Sequence, residues 1–189
     1  VFTPEESISN EELVKAYNTY AENFNTLNKD SIAKGEIEPL ESSSEDFIFN
    51  ASGIKNRYVM DKNGILNPEI MHPILRKRSD DEPSLLAEMA VKAGKEAMDK
   101  AGKGPEDIDA VITACSNLER AYPAVSIEVQ QILGIGGFAF DMNVACSSAT
   151  FGIQAAADMI KSGSAQTILI VDPEVTTGHL DFKDRDCHF

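Results

Sequence analysis

Cys146 is the residue whose type and setting best suit covalent chemistry. It lies in Asp141-Met142-Asn143-Val144-Ala145-Cys146-Ser147-Ser148-Ala149-Thr150-Phe151-Gly152, where an apolar run that reads as a strand meets a run of small residues that reads as a helix. A helix N-terminus carries unpaired amides and partial positive charge, and both favour a thiolate over a thiol. Ala145, Ser147, Ser148 and Ala149 leave room for a substrate to approach sulfur. In a parallel α/β sheet, ligands bind at the carboxyl ends of strands, where this cysteine falls. A second reading of the same spacing makes Cys146 a small buried hydrophobe.

The flanking pattern supplies such a sheet. From Pro83 onward, Leu86, Met89, Ala90, Ala93, Ala97 and Met98 mark one helical face that ends at Gly102. Residues 108–114, 138–142 and 167–171 read as strands. Residues 124–133 and 147–161 read as helices stopped by Gly134 and Gly163, the second buried on most sides. Strand–helix–strand–helix–strand is the signature of an α/β domain with a mostly parallel sheet. Earlier in the chain, Ser9-Asn10-Glu11-Glu12 has the form of a capping box and opens a helix. Residues 25–46 read as loop or short irregular helix, Phe47-Ile48-Phe49 as the start of a short apolar segment ending near Gly53, and 25–44 and 59–82 as surface excursions. Asp186-Cys187-His188-Phe189 reads as the start of an apolar strand.

Composition narrows the class. The 189 residues carry 17 Lys and Arg against 31 Asp and Glu, a formal net charge of −14. Such a balance argues against a general nucleic-acid binder, which needs a basic stripe. With 42% hydrophobic residues the chain is too apolar for wholesale disorder. No apolar run approaches the ~20 residues of a membrane span. Three cysteines do not make a disulfide framework, and a reducing, cytoplasmic setting is expected.

The segment from Asp141 to Gly152, with Ala155-Ala156-Ala157-Asp158-Met159-Ile160-Lys161-Ser162-Gly163 after it, resembles the nucleophile region of β-ketoacyl-acyl-carrier-protein synthase III, a condensing enzyme of the thiolase superfamily. Other pieces follow in the same order. Ser52-Gly53-Ile54-Lys55-Asn56-Arg57 is similar to the family's T-G-I-x-x-R motif, and Ala121-Tyr122-Pro123-Ala124 to its A-F-P-S/A turn. Asp184-Arg185 resembles a D-R pair that precedes an F-G-D motif. The resemblance implies the N-terminal half of a layered αβαβα fold over residues 1–189. A first strand is expected before Val1, and a C-terminal half bearing the family's catalytic histidine and asparagine after Phe189. His72, His179 and His188 match no family motif and are read as surface or structural residues.

The implied activity is decarboxylating condensation of an acyl thioester with malonyl-acyl carrier protein in fatty-acid synthesis. Cys146 would be the nucleophile and its backbone N–H one oxyanion donor. Phe47 would stack on the CoA adenine, Ala51 replaces a phosphate-pairing arginine, and Arg185 matches the remaining adenine-side arginine. Ala51 therefore points to a primer longer than acetyl, or one carried on acyl carrier protein. Tyr122 matches a residue that crosses a homodimer interface to close the partner's acyl pocket. Phe47 as core, Tyr122 as a core aromatic and Arg185 as a surface cation remain open. The resemblance implies no cofactor, no metal, and no nucleic-acid or membrane partner; the expected partners are acyl carrier protein, a second copy and the C-terminal half. Arg76-Lys77-Arg78 reads as a solvated face, with carrier-protein docking the less favoured alternative. Two alternatives stand beside the main reading. One is a related superfamily enzyme of secondary metabolism or hydrocarbon synthesis. The other is a non-catalytic half that supplies the nucleophile to a second chain.

Overall fold

The computed structural model describes all of residues 1–189. They fall into two compact units, Val1–Phe2 with Lys77–Val175, and Thr3–Arg76 with Thr176–Phe189.

The first unit is built on a three-stranded parallel sheet in the order β4-β3-β5. Its strands are β3 (Ala110–Ala114), β4 (Phe138–Met142) and β5 (Ile168–Val171). β3 is central and buried at every position, so its run of apolar residues shows no alternation. Three helices cover the sheet: α5 (Leu85–Ala101), α6 (Val125–Leu133) and α7 (Ser148–Ser162). Gly94 of α5 sits against Leu169 and Val171, whereas Gly152 of α7 sits against Ile112, Ala114 and Ile170. Side chains alternate across a strand, so these contacts place α5 and α7 on opposite faces. The result is an α/β sandwich with a parallel sheet, as the sequence pattern leads one to expect.

Charged groups fix the helix starts. The Asp141 carboxylate, at the end of β4, accepts the Val125 and Ser126 N–H groups at 2.9 and 2.8 Å and thereby caps α6. Buried Glu128 accepts the Ser84 N–H and hydroxyl at 2.9 and 2.7 Å, while Ser84 caps α5. Positive φ closes α5, α6 and α7 at Gly102, Gly134 and Gly163.

The second unit opens with β1 (Glu6–Ser9), antiparallel to β2 (Asn56–Val59), and α1 (Asn10–Leu27). The Ser9–Glu12 capping box is formed. Three shorter helices follow in sequence: α2 (Lys29–Ala33), α3 (Glu45–Ser52) and α4 (Lys62–Leu66). Ile8, Leu13, Tyr17, Ile48, Val59, Ile65, Met71 and Phe182 form the core.

Three expectations need correction, and one segment left without a secondary structure is settled. Part of 59–82 is core rather than excursion, because Val59, Ile65 and Met71 are fully buried. Their apolar neighbours come in short runs broken by Asp61, Asn63, Asn67 and Pro68, which keep no helical or strand period. The Phe47-Ile48-Phe49 segment is helical, since the Ser44 hydroxyl accepts the Phe47 N–H and Gly53 ends the turn in the left-handed conformation. Residues 185–188 form a short 3-10 turn instead of a strand, started by the Asp184 carboxylate on the Asp186 N–H. Finally, α7 is not buried on most sides of this chain. Only its small residues Ser148, Gly152 and Ala156 are buried, while Phe151 and Ile153 are 52% and 61% exposed.

His188 is a structural hub of the second unit. Its ring is fully buried, edge-on to Tyr17, with Nε2 donating to the Phe182 carbonyl at 3.0 Å and Nδ1 accepting from Ser43 Oγ at 3.2 Å. That assignment requires the neutral tautomer protonated at Nε2. Arg57 Nη2 bridges the His188 carbonyl and Asn10 Oδ1 at 2.9 and 3.0 Å.

Two predictions follow from these contacts. Burial, with a smaller push from Arg57, holds the His188 pKa below the ordinary imidazole value. The stability it contributes is full above about pH 6.5 and is lost as pH falls through the lower folded-state value. Histidine proton NMR should show His188 titrating below about pH 6.5; titration at or above that value contradicts the buried neutral ring. In the first unit, a Cβ at Gly137 would lie 2.0 Å from the Asp109 carbonyl oxygen, at φ +73°. Gly137→Ala should therefore cost more than the about 1–3 kcal/mol of backbone strain alone. Gly134→Ala, with φ +70° but open space around it, should cost less in denaturant unfolding. Equal losses would contradict the close approach.

Candidate active site

The carboxyl edge of the parallel sheet carries the turn that presents Cys146. β4 ends at Met142, and residues 143–147 lead directly into α7. Ala145 adopts φ +49°, the left-handed region that residues with a Cβ seldom occupy. Ser148 holds this turn from within the helix: its hydroxyl accepts the Val144 N–H at 2.8 Å and donates to the Ala145 carbonyl at 2.7 Å. A second clamp comes from Asn143, whose Oδ1 accepts the Ala145 N–H at 3.1 Å. The turn leaves Cys146 exposed. No side chain caps the start of α7 at Ser147, in contrast to the serine caps of α1, α3 and α5. The thiol thus sits beside an uncapped helix start, where partial positive charge is greatest.

The other cysteines have different surroundings. Cys115 follows β3 and is buried, which pushes its thiol up to about 12. Its Sγ donates to Glu174 Oε2 at 3.4 Å. Cys187 is partly buried, and burial again raises its pKa. Of the three cysteines, Cys146 is the exposed one, and it lies at a helix start.

Phe47 and Arg185 come together in the second unit. The Arg185 guanidinium lies 4.6 Å from the Phe47 ring centroid, and Phe189 packs edge-on to the same ring at 5.5 Å. Arg185 Nη1 also pairs with Glu41 at 2.9 Å and donates to the Ser42 carbonyl at 3.1 Å. Ala51, one helical turn after Phe47, is exposed on the same face of α3. Tyr122, in the first unit, is 92% exposed and is no core aromatic of this chain. His72 and His179 are exposed and His188 is structural. In the basic run, Arg78 pairs with Glu88 and donates to the Pro83 carbonyl at 2.8 Å. No group of three or more His, Cys, Asp or Glu side chains comes together to hold a metal ion. No helix is long and apolar enough to cross a membrane.

Sequence reasoning missed Asn143, Glu174 and the Asp141 cap. Asp141 and Asn143 are visible as polar residues at a strand end, but Val125 and Ser126 for the one, and Ser116 for the other, lie in other strand–helix units, which no local spacing reveals.

Comparisons with known proteins bear on the family and the fold. The sequence model of the family described as 3-oxoacyl-[acyl-carrier-protein (ACP)] synthase III matches residues 140–189. Over 176 residues the chain is 57% identical to the β-ketodecanoyl-acyl-carrier-protein synthase of Pseudomonas aeruginosa, covering 93% of this chain and 50% of that protein. It is 31% identical over 160 residues to β-ketoacyl-acyl-carrier-protein synthase III of Agrobacterium fabrum, covering 84% and 43%. The crystal structure of 3-oxoacyl-acyl-carrier-protein synthase III from Aquifex aeolicus superposes with a TM-score of 0.70 at 24% identity, covering 98% of this chain and 46% of that one. The Pseudomonas aeruginosa synthase III structure gives 0.67 at 22% identity, covering 98% and 44%. The chain spans about half the length of the curated relatives it matches. In sequence and in its thiolase-like α/β fold, it belongs to the 3-oxoacyl-acyl-carrier-protein synthase III family.

Proposed function

We propose that this chain is the nucleophile-bearing, N-terminal half of a decarboxylating condensing enzyme of fatty-acid synthesis. The observation that carries the reading is Cys146, exposed beside the uncapped start of α7 at the carboxyl edge of the sheet. The Cys146 thiolate attacks the carbonyl of an acyl thioester, forming a new C–S bond and releasing the carrier thiolate. The acyl group stays activated as a thioester. A malonyl thioester then loses carbon dioxide, and its carbanion attacks the acyl carbonyl and expels the Cys146 thiolate. Each tetrahedral oxyanion needs fixed donors, of which the Cys146 N–H is one. The remaining donors and the decarboxylation groups come from the C-terminal half. Acyl carrier protein is the substrate partner, the working form is a homodimer with Tyr122 at its interface, and the reaction needs no cofactor.

The primer is longer than acetyl. Ala51 offers no charge to a CoA phosphate, and Phe47 offers less stacking area than an indole. The Pseudomonas relative is named for a β-ketodecanoyl product, which corresponds by carbon count to an eight-carbon acyl group extended by two. Medium-chain acyl thioesters are the primers we assign here.

Two measurements test the assignment. Brief iodoacetamide treatment followed by peptide mapping should label Cys146 ahead of Cys115 and Cys187, because the thiolate is the reactive form and only Cys146 is exposed. Preferential labelling of either other cysteine sinks the nucleophile. Cys146→Ala should abolish acyl-enzyme formation by the intact polypeptide, and retained acylation is equally damaging. For the primer, steady-state rates with acetyl and medium-chain thioesters, on CoA and on carrier protein, should favour the medium chain. A preference for acetyl-CoA removes that assignment. Ala51→Arg should improve use of CoA thioesters roughly tenfold to a hundredfold, the worth of one charge-assisted hydrogen bond.

A further inference from the structure

The loops that follow the three parallel strands are tied by one continuous hydrogen-bond chain that ends beside Cys146. Glu174, beyond β5, accepts the Ser116 N–H at 3.0 Å with Oε2 and the Asn117 side-chain amide at 3.0 Å with Oε1. The Ser116 carbonyl, beyond β3, accepts from Asn143 Nδ2 at 2.9 Å. Asn143, beyond β4, accepts the Ala145 N–H with its other atom, Oδ1, at 3.1 Å. Ala145 immediately precedes Cys146 and holds φ +49°, a conformation that persists only where neighbours impose it.

We propose that Asn143 and Glu174 are positioning residues for Cys146. Asn143 holds Ala145 in its left-handed turn and so aims the sulfur; Glu174 fixes the Ser116 peptide on which the Asn143 amide hangs. The proposal rests on the reading of Cys146 as nucleophile.

The chemistry of each link is specific. Asn143 must donate with one atom and accept with the other, which a carboxamide of this length does and a carboxylate does not. Glu174 acts purely as an acceptor. Burial pushes its carboxyl up, but hydrogen bonds from Ser116 and Asn117 outweigh burial and hold the pKa below the ordinary glutamate value. The neighbouring Cys115 stays a neutral thiol and adds a donor to the same oxygen. Ser148 clamps the turn from within its own helix, whereas Asn143 refers it to the neighbouring strands. Lateral position relative to the sheet is what a substrate bound at the strand ends must meet, and misplacement by about 1 Å can cost on the order of a hundredfold in rate.

The test reads backbone protection and chemistry separately in the intact polypeptide. Asn143→Ala and Glu174→Ala should each speed amide hydrogen exchange at Ala145 about tenfold while the global unfolding midpoint moves little. Each should also slow acyl loading of Cys146 about tenfold, with the KM for the acyl donor nearly unchanged. Glu174→Gln keeps an oxygen acceptor for the Ser116 N–H and should restore both readouts, a rescue that a generic packing role does not give. Should the alanine variants fold poorly, Asn143→Asp serves instead. It keeps the Ala145 acceptor but repels the Ser116 carbonyl, so loading should fall and exchange at Ala145 should quicken, as in Glu174→Ala. Unchanged exchange in a folded Asn143→Ala variant, normal loading in Asn143→Asp, or failure of Glu174→Gln to rescue overturns the proposal. Exchange can be read in a Cys146→Ala background. Loss of the nucleophile reading therefore appears as acylation elsewhere, and loss of the tie as unaltered protection at Ala145.

Discussion

Parallel pairing of β3 with both β4 and β5 is the constraint from which the site arises. Because the three strands run the same way, their carboxyl ends share one edge, and every connection back to the next strand must cross a face of the sheet. The β3 side chains are buried on both faces, so the strand cannot slip in register without exposing apolar surface or driving neighbours apart. Once β3 is fixed, the turn after β4 has a defined height above the sheet, and α7 must start there. The two glycines at the helix–sheet contacts, Gly94 and Gly152, let α5 and α7 approach closely from opposite sides.

Polar groups then refine what packing sets coarsely. Asp141 is the last acidic residue of β4 and serves α6, while Asn143, two positions on, serves the turn. Asp141 points its oxygens at amides of the buried Val125 and Ser126, which would cost about 1–3 kcal/mol each if left unsatisfied, whereas the bond from Ala145 to Asn143 is exposed and acts on the turn's shape. The cysteines divide by the same logic. Enclosure keeps Cys115 a weakly acidic thiol beside a carboxylate, while the turn lifts Cys146 into solvent. Two cysteines that follow adjacent strands thus differ in exposure through surroundings alone.

Much of this was legible in the sequence, and what was not has a physical reason. The Ser9 capping box, the apolar runs of β3 to β5 and the glycine stops after α5, α6 and α7 are local signals, and each is formed. Cys146 at a strand–helix junction is local too. The β1–β2 ribbon escaped because a single buried residue in each strand, Ile8 and Val59, makes no alternation. α3 escaped because Phe47-Ile48-Phe49 favours strand by composition, and the Ser44 cap decided otherwise. The pairing of Arg185 with Phe47 joins residues that only the folded second unit brings together, as do the links from Glu174 to Asn143 within the first.

The second unit is discontinuous: its core joins Ile8, Leu13 and Met71 to Phe182, and its buried imidazole belongs to residue 188. That topology sets an order on the ribosome. Thr3–Arg76 emerges first yet lacks Phe182 and His188 until the whole of Lys77–Val175 has been made. At about 5–20 residues per second, the delay is roughly 5–20 s. During that interval Ile8, Leu13 and Ile48 have an unfinished core, and the nascent chain carries apolar surface that a chaperone can hold. The intervening unit, continuous from Lys77 to Val175 apart from Val1–Phe2, is free to fold first.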